Sequence, residues 1–125
     1  MKYYYKDILV RTSKTHEYHF AVIKELDDGI AVLACSKTYE GAMASRRQLI
    51  SYTINDLEVC EKLQEARRNG KSGFFAKGQG RKETYRKTSD YDDKWFENLE
   101  ERIDYNKQSI DEFNRTVKVV EIEAR

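Results

Sequence analysis

The chain has 125 residues, with 23 Lys and Arg against 22 Asp and Glu; 39% of its residues are hydrophobic, and 9 Tyr, 5 Phe and 1 Trp supply aromatic surface. That is enough apolar material for a packed core and sets the chain apart from disordered sequences, despite a charged fraction of 36%. No apolar run approaches the ~20 residues of a membrane span, Met1–Lys6 has no apolar signal core, and 2 cysteines with no proline argue against a disulfide scaffold or a proline-rich linker.

The expectation is therefore one cytoplasmic domain spanning residues 1–125. Cys35 and Cys60 lie in apolar surroundings and read as small buried residues, with a disulfide as the alternative.

The first third reads as strands. Lys2–Arg11 carries Tyr3, Tyr5, Ile8 and Val10, and Glu17–Leu26 alternates through Tyr18, Phe20 and Val22. Asp27-Asp28-Gly29 is a hairpin signal and leads into the apolar run Ile30–Cys35. These predict a three-stranded antiparallel meander over residues 2–36. His16 and His19 fall three apart on a strand, hence on opposite faces, and do not pair as metal ligands.

After Ser36 the period changes. Thr38 suits an N-cap, and Met43, Ile50, Ile54, Leu57, Cys60 and Leu63 recur at helical spacing until Gly70. A helix over 39–68 would be about 45 Å long, against a diameter of roughly 35 Å for a compact chain of this length. That excess points to a two-fold dimer, or a higher homo-oligomer, covering the apolar stripe; the alternative is a kink near Tyr52 or a sheet that curls along the helix.

Residues 69–89 show no period and predict a basic, glycine-rich loop. Between Arg67 and Thr88 there are eight basic residues and one acid, Glu83, so this stretch carries +7 and the rest of the chain −6. Four of the 6 glycines fall there, beside Phe74, Phe75 and Tyr85. Glycines let backbone N–H groups approach an anion, arginine and lysine contact phosphate, and aromatic faces stack bases at roughly 1–3 kcal/mol each. The combination suits a phosphate-bearing ligand with a base; the alternative is a solvated loop neutralised by the chain's own acids. Gly70-Lys71-Ser72 is not a P-loop, since Glu65 stands where that motif has glycine and a helix precedes it. Gly78-Gln79-Gly80 lacks the third glycine of a dinucleotide fingerprint.

A second helix is expected over 90–113, with Asp92 and Asp93 favouring its first turn and Trp95, Leu99, Ile103, Ile110 and Phe113 as its stripe, interrupted by Asn106. A strand follows over 116–123, giving an α+β fold: an antiparallel sheet of three N-terminal strands and a C-terminal one, packed with two long helices joined by the basic loop. Nine acids against three cations between Asp90 and Glu112 would repel a long polyanion facing them, so a compact nucleotide is favoured over a nucleic acid. Arg46, Arg47 and Arg102 border the apolar stripes; each either pairs with a carboxylate or helps close a phosphate pocket, with Asn98 and Asn106 near the base or ribose. Nothing in the sequence marks a catalytic nucleophile, so binding without chemistry, cofactor or metal is expected.

This order of elements, with its arginine positions, resembles the first family of Thoeris anti-defence proteins of phages. Those proteins are sponges that sequester cyclic ADP-ribose signals at a dimer interface without degrading them, and some also capture cyclic oligonucleotides. The resemblance implies that Phe74 or Phe75 stacks the adenine, that Arg47 or Arg46 and Arg102 hold the diphosphate, and that Thr84, Tyr85 or Arg86 closes over the base. It further implies action in the cytoplasm of a bacterial host. The competing expectations are a small DNA- or RNA-binding regulator using the basic loop, then an inhibitor of another protein, then a nuclease or nucleotide hydrolase.

Overall fold

The computed structural model describes residues 1–78, 82–91 and 93–125. Gln79, Gly80 and Arg81 of the basic stretch, and Asp92 at the expected helix start, lie outside the described residues. The chain forms an α+β fold in two compact units, one built from Met1–Leu49 with Glu112–Arg125, the other from Ile50–Asp111.

In the first unit, β1 (Lys2–Tyr5) and β2 (Ile8–Thr12) form a hairpin, so the expected first strand is in fact two. The turn between them was hidden because Lys6, not glycine or asparagine, adopts the left-handed backbone (φ 54°). β3 (Phe20–Leu26) pairs with β4 (Gly29–Ser36) across Asp27-Asp28, as the hairpin signal predicts. The expected C-terminal strand is divided. β7 (Val117–Glu121) pairs with β3, and β8 (Glu123–Ala124) pairs with β1, giving two three-stranded sheets ordered β4-β3-β7 and β2-β1-β8.

The central strand β3 is covered on both faces. Tyr3, Ala21, Ile23 and Ile122 form one buried cluster, and Val22, Ala42 and Val117 form another on the opposite side. A strand buried twice has consecutive apolar residues, which accounts for the run Ala21-Val22-Ile23. Ala42 belongs to α1 (Tyr39–Arg68), whose bounds coincide with the expected helix.

Both ends of α1 are capped by local chemistry. The Gly41 N–H donates to Thr38 Oγ1 (3.0 Å). At the other end the Lys71 N–H reaches the Ala66 carbonyl (2.8 Å) and the Gly70 N–H reaches that of Arg67 (3.2 Å), a Schellman arrangement. It requires Gly70 at φ 65°.

In the second unit, the stretch expected to be a loop contains a hairpin of β5 (Gly73–Ala76) and β6 (Thr84–Lys87), followed by a 3-10 turn over Thr88–Asp90. The expected second helix is also broken, into α2 (Asp93–Glu97) and α3 (Leu99–Thr116). Asn98 makes the break: its side-chain N–H donates to the Lys94 carbonyl (3.4 Å), while its own carbonyl accepts the Arg102 N–H (3.0 Å) that opens α3. The core here joins Val59, Cys60, Leu63 and Ala66 of α1 to Phe74 and Ala76 of the hairpin and to Leu99 and Ile103 of α3. Ile54, expected on the buried stripe, is exposed. Among the described residues, no helix is long and apolar enough to cross a membrane.

Gly70→Ala isolates the cost of the left-handed cap, because a Cβ at Gly70 would meet nothing within 4 Å. Urea unfolding is expected to show a loss of about 1 kcal/mol; an unchanged midpoint would show that this cap adds nothing to stability.

Candidate ligand-binding site

The second unit's core leaves one polar cluster at its edge. Asp56 lies on α1 one turn before Cys60. Its carboxylate accepts three charge-strength bonds at 2.8 Å: Oδ2 from Arg102 Nε, Oδ1 from Arg102 Nη2, and Oδ2 again from Asn106 Nδ2. The Asp56 side chain is 14% exposed and that of Arg102 39%, while Asn106 is 5% exposed. The bidentate guanidinium holds the Asp56 carboxyl below the usual carboxylate range against the opposing effect of burial, with Asn106 adding to the lowering. The same pairing raises the Arg102 pKa.

Cys60 Sγ lies 3.9 Å from Asp56 Oδ2. Burial first, and then the Asp56 charge, push its thiol up to about 11. It is a protonated, fully buried packing residue. Cys35 and Cys60 are both free, which decides against a disulfide.

Arg102 also stacks on an aromatic face. Its guanidinium carbon is 4.3 Å from the Trp95 ring centroid, and Trp95 meets Tyr91 edge to face at 5.4 Å. Lys94, Trp95, Asn98 and Arg102 together line an open depression of about 290 Å³. Its arginine is fixed by Asp56 on one edge and by Trp95 on one face, so little side-chain entropy remains to be lost on meeting an anion.

The other expected site residues fall into three groups. Arg46 and Phe74 have structural roles. Arg46 donates to the Val117 carbonyl (3.0 Å) and to Asn114 Oδ1 (3.2 Å) and covers the Phe113 ring (4.9 Å). Phe74 is 9% exposed, packed in the core and stacked on Tyr91 (6.1 Å). Asn106, expected near a base or ribose, is buried against Asp56. Arg86 sits between these roles: its Nη1 donates to the Tyr91 hydroxyl (3.3 Å), while its buried Nε has no hydrogen-bond partner among the described residues.

Phe75, Thr84 and Tyr85 are exposed on the β5–β6 hairpin. Arg47 is exposed on the part of α1 belonging to the first unit. Of the expected ligand residues, only Asn98 and Arg102 line the Trp95 depression.

Asp56, Lys94 and Trp95 escaped the sequence reading as site residues. A signal was present: Asp56 follows Ile54 and precedes Leu57 on an apolar stripe, and Arg102 and Asn106 stand four apart, as two donors on one helical face do. A carboxylate on one stripe facing an arginine and an amide on another marks a buried pair.

Because the folded-state pKa of Asp56 is depressed, its ion pair stabilises the fold above the carboxylate's unfolded value of about 4 and is lost as pH falls through the folded pKa. Asp56→Asn is expected to cost about 2 kcal/mol at pH 7 and to flatten the loss of stability below about pH 4. Urea unfolding at pH 7 and 3 checks both; an equal difference from the parent protein at the two pH values would contradict the pairing.

Compared with protein-family models, curated proteins and solved structures, the chain matches none.

Proposed function

We propose that the protein is a non-catalytic sponge that binds and sequesters a compact, phosphate-bearing nucleotide. The observation that carries this reading is the depression where Arg102, held by two 2.8 Å bonds to Asp56, lies with Lys94, Asn98 and Trp95. The two cations suit the phosphates, the Asn98 amide offers hydrogen bonds to a base or ribose, and Trp95 supplies apolar surface. A ligand with two phosphates needs only this local positive charge, so the acids of α3 do not oppose it as they would a polymer lying across them.

Retention without turnover is supported by the state of the nearby reactive groups. The Cys60 thiol is protonated, with a pKa of about 11, and the Asp56 carboxylate already accepts three bonds. Neither serves as nucleophile or general base.

The resemblance to the Thoeris anti-defence family narrows the ligand to a cyclic nucleotide immune signal, a cyclic ADP-ribose isomer or a cyclic oligonucleotide. Its removal would inhibit bacterial anti-phage defence. In this reading two or more copies of the chain associate, and the partner copy closes the open depression. Arg102 keeps the diphosphate role the resemblance gives it, and Lys94 takes the second cationic place.

Titration calorimetry with cyclic ADP-ribose isomers and cyclic di- and trinucleotides is expected to give saturable binding, with the ligand recovered unchanged after heat denaturation. Lys94→Ala is expected to weaken the phosphate ligand about 10- to 100-fold, leaving the unfolding midpoint and the affinity for the uncharged nucleoside unchanged. Sedimentation is expected to show a dimer or larger assembly. Failure of all these ligands to bind, or their chemical conversion, would refute the sponge; a monomer at ligand saturation would refute the shared site.

A further inference from the structure

The β5–β6 hairpin has two unlike faces. In its register, Phe74 opposes Arg86 and Ala76 opposes Thr84; Gly73 opposes Lys87 and Phe75 opposes Tyr85. Side chains alternate along strands, and Phe74 and Ala76 point into the core. Gly73, Phe75, Tyr85 and Lys87 therefore share the opposite face. There Phe75 is 58% and Tyr85 51% exposed, their ring centroids 5.3 Å apart at an interplanar angle of 62°.

Two exposed aromatic rings side by side lose apolar contact with nothing in return unless something covers them. These rings are also held in place. A Cβ on Gly73 would overlap the Tyr85 hydroxyl and come within 2.6 Å of the Arg86 carbonyl oxygen, so the Tyr85 side chain lies across the bare backbone of its neighbour strand. The Phe75 carbonyl accepts a bond from Lys62 Nζ (2.8 Å), which ties β5 to α1.

The surrounding charge is mixed but positive on balance, with Lys62, Lys71, Lys77, Lys82 and Lys87 against Glu58, Glu65 and Glu83. Lys62 is neutralised by Glu58 (3.2 Å) and Glu83 (3.6 Å). Glu65 lies with Lys71 in a depression of about 310 Å³ beside Phe75. Lys71, Lys77, Lys82 and Lys87 are exposed, and among the described residues their ammonium groups form no ion pair within 4 Å, although the Lys77 backbone N–H donates to Glu58 Oε1 (3.3 Å). The net charge bordering the two rings is thus positive, and the acids of α3 belong to an element on the other side of the hairpin's buried face.

Independently of the Trp95 depression, we infer that the outer face of the β5–β6 hairpin is a stacking platform for single-stranded nucleic acid. Two bases stack on Phe75 and Tyr85, and Lys71, Lys77, Lys82 and Lys87 meet the adjoining phosphates. A base has two apolar faces for such rings, and an unpaired strand is the polyanion that presents bases unstacked; a duplex keeps them stacked inside. A surface of aromatic rings and lysines, without a base-edge donor set, accepts many sequences.

Fluorescence anisotropy of end-labelled 12-nucleotide oligo-dT and oligo-U tests this, with a duplex of equal length as competitor. The single strands are expected to bind, with affinity falling as salt rises, and the duplex at least 10-fold more weakly. Phe75→Ala with Tyr85→Ala is expected to weaken single-strand binding at least 10-fold. Tyr85→Phe, which keeps the ring, is expected to restore most of it when Phe75 is intact, and Lys87→Ala to lower the slope of log affinity against log salt by about 0.7. Thermal unfolding of each variant separates loss of the face from loss of the fold. No single-strand binding, duplex binding of equal strength, or unchanged affinity of a folded double variant would overturn the platform. None of these results bears on the compact nucleotide, whose depression the hairpin substitutions leave intact.

Discussion

The bond between Asp56 and Arg102 is the constraint on which the second unit depends. A carboxylate with so little exposure is costly without donors, and here a guanidinium fork and the Asn106 amide supply three bonds at 2.8 Å. Removing Arg102 or Asn106 leaves the largely buried Asp56 carboxylate short of donors. Only one register of α3 against this part of α1 gives all three donors to Asp56, because Arg102 and Asn106 are one helical turn apart and neither neighbouring turn repeats that pair. The pair therefore fixes the helices, and the same contact holds the Arg102 guanidinium against Trp95 at the depression.

The structure separates the chain's positive charge by role. Arg46 serves the first unit through the Val117 carbonyl, and Arg67 covers the Phe96 ring at 3.7 Å. Lys62 is neutralised in place by Glu58 and Glu83. Arg102 is oriented by a carboxylate yet keeps an exposed part, and the ammonium groups of Lys71, Lys77, Lys82 and Lys87 form no ion pair among the described residues. An oriented arginine favours a ligand of defined geometry, whereas mobile lysines on flexible stems suit a chain of phosphates. The two proposed binding modes rest on this difference, so one cationic sequence need not imply one ligand.

What was legible in the sequence follows from how many residues each signal involves. The 30 residues of α1 carry a sustained period, Thr38 at the start and Gly70 at the end, so the expected bounds and the observed ones agree. The Asp27-Asp28-Gly29 turn was readable because its residue types favour that backbone. The β5 and β6 strands are four residues each and are joined by seven residues, too short for a period and too widely spaced for a tight-turn signature. Phe74-Phe75 and Thr84-Tyr85 do favour strands, but glycine and lysine around them obscure it. The Lys6 turn had no signature at all, and the break at Asn98 lay within an otherwise helical pattern. At the site, Arg102 could be named from a stripe edge and Asn98 as an amide close to it in sequence. Asp56 could not, because its meaning depends on a partner 46 positions away.

Trp95 is the chain's one tryptophan and lies in the depression against Arg102, so its fluorescence reports on that site alone. Titrating the protein with a cyclic ADP-ribose isomer or cyclic dinucleotide that binds by calorimetry is the most direct measurement. The account predicts a saturable change in Trp95 emission with the calorimetric midpoint, and in Lys94→Ala a shift of both midpoints to about 10- to 100-fold higher ligand concentration. Calorimetric binding that leaves Trp95 emission unchanged and keeps its midpoint in Lys94→Ala would place the ligand elsewhere and contradict it.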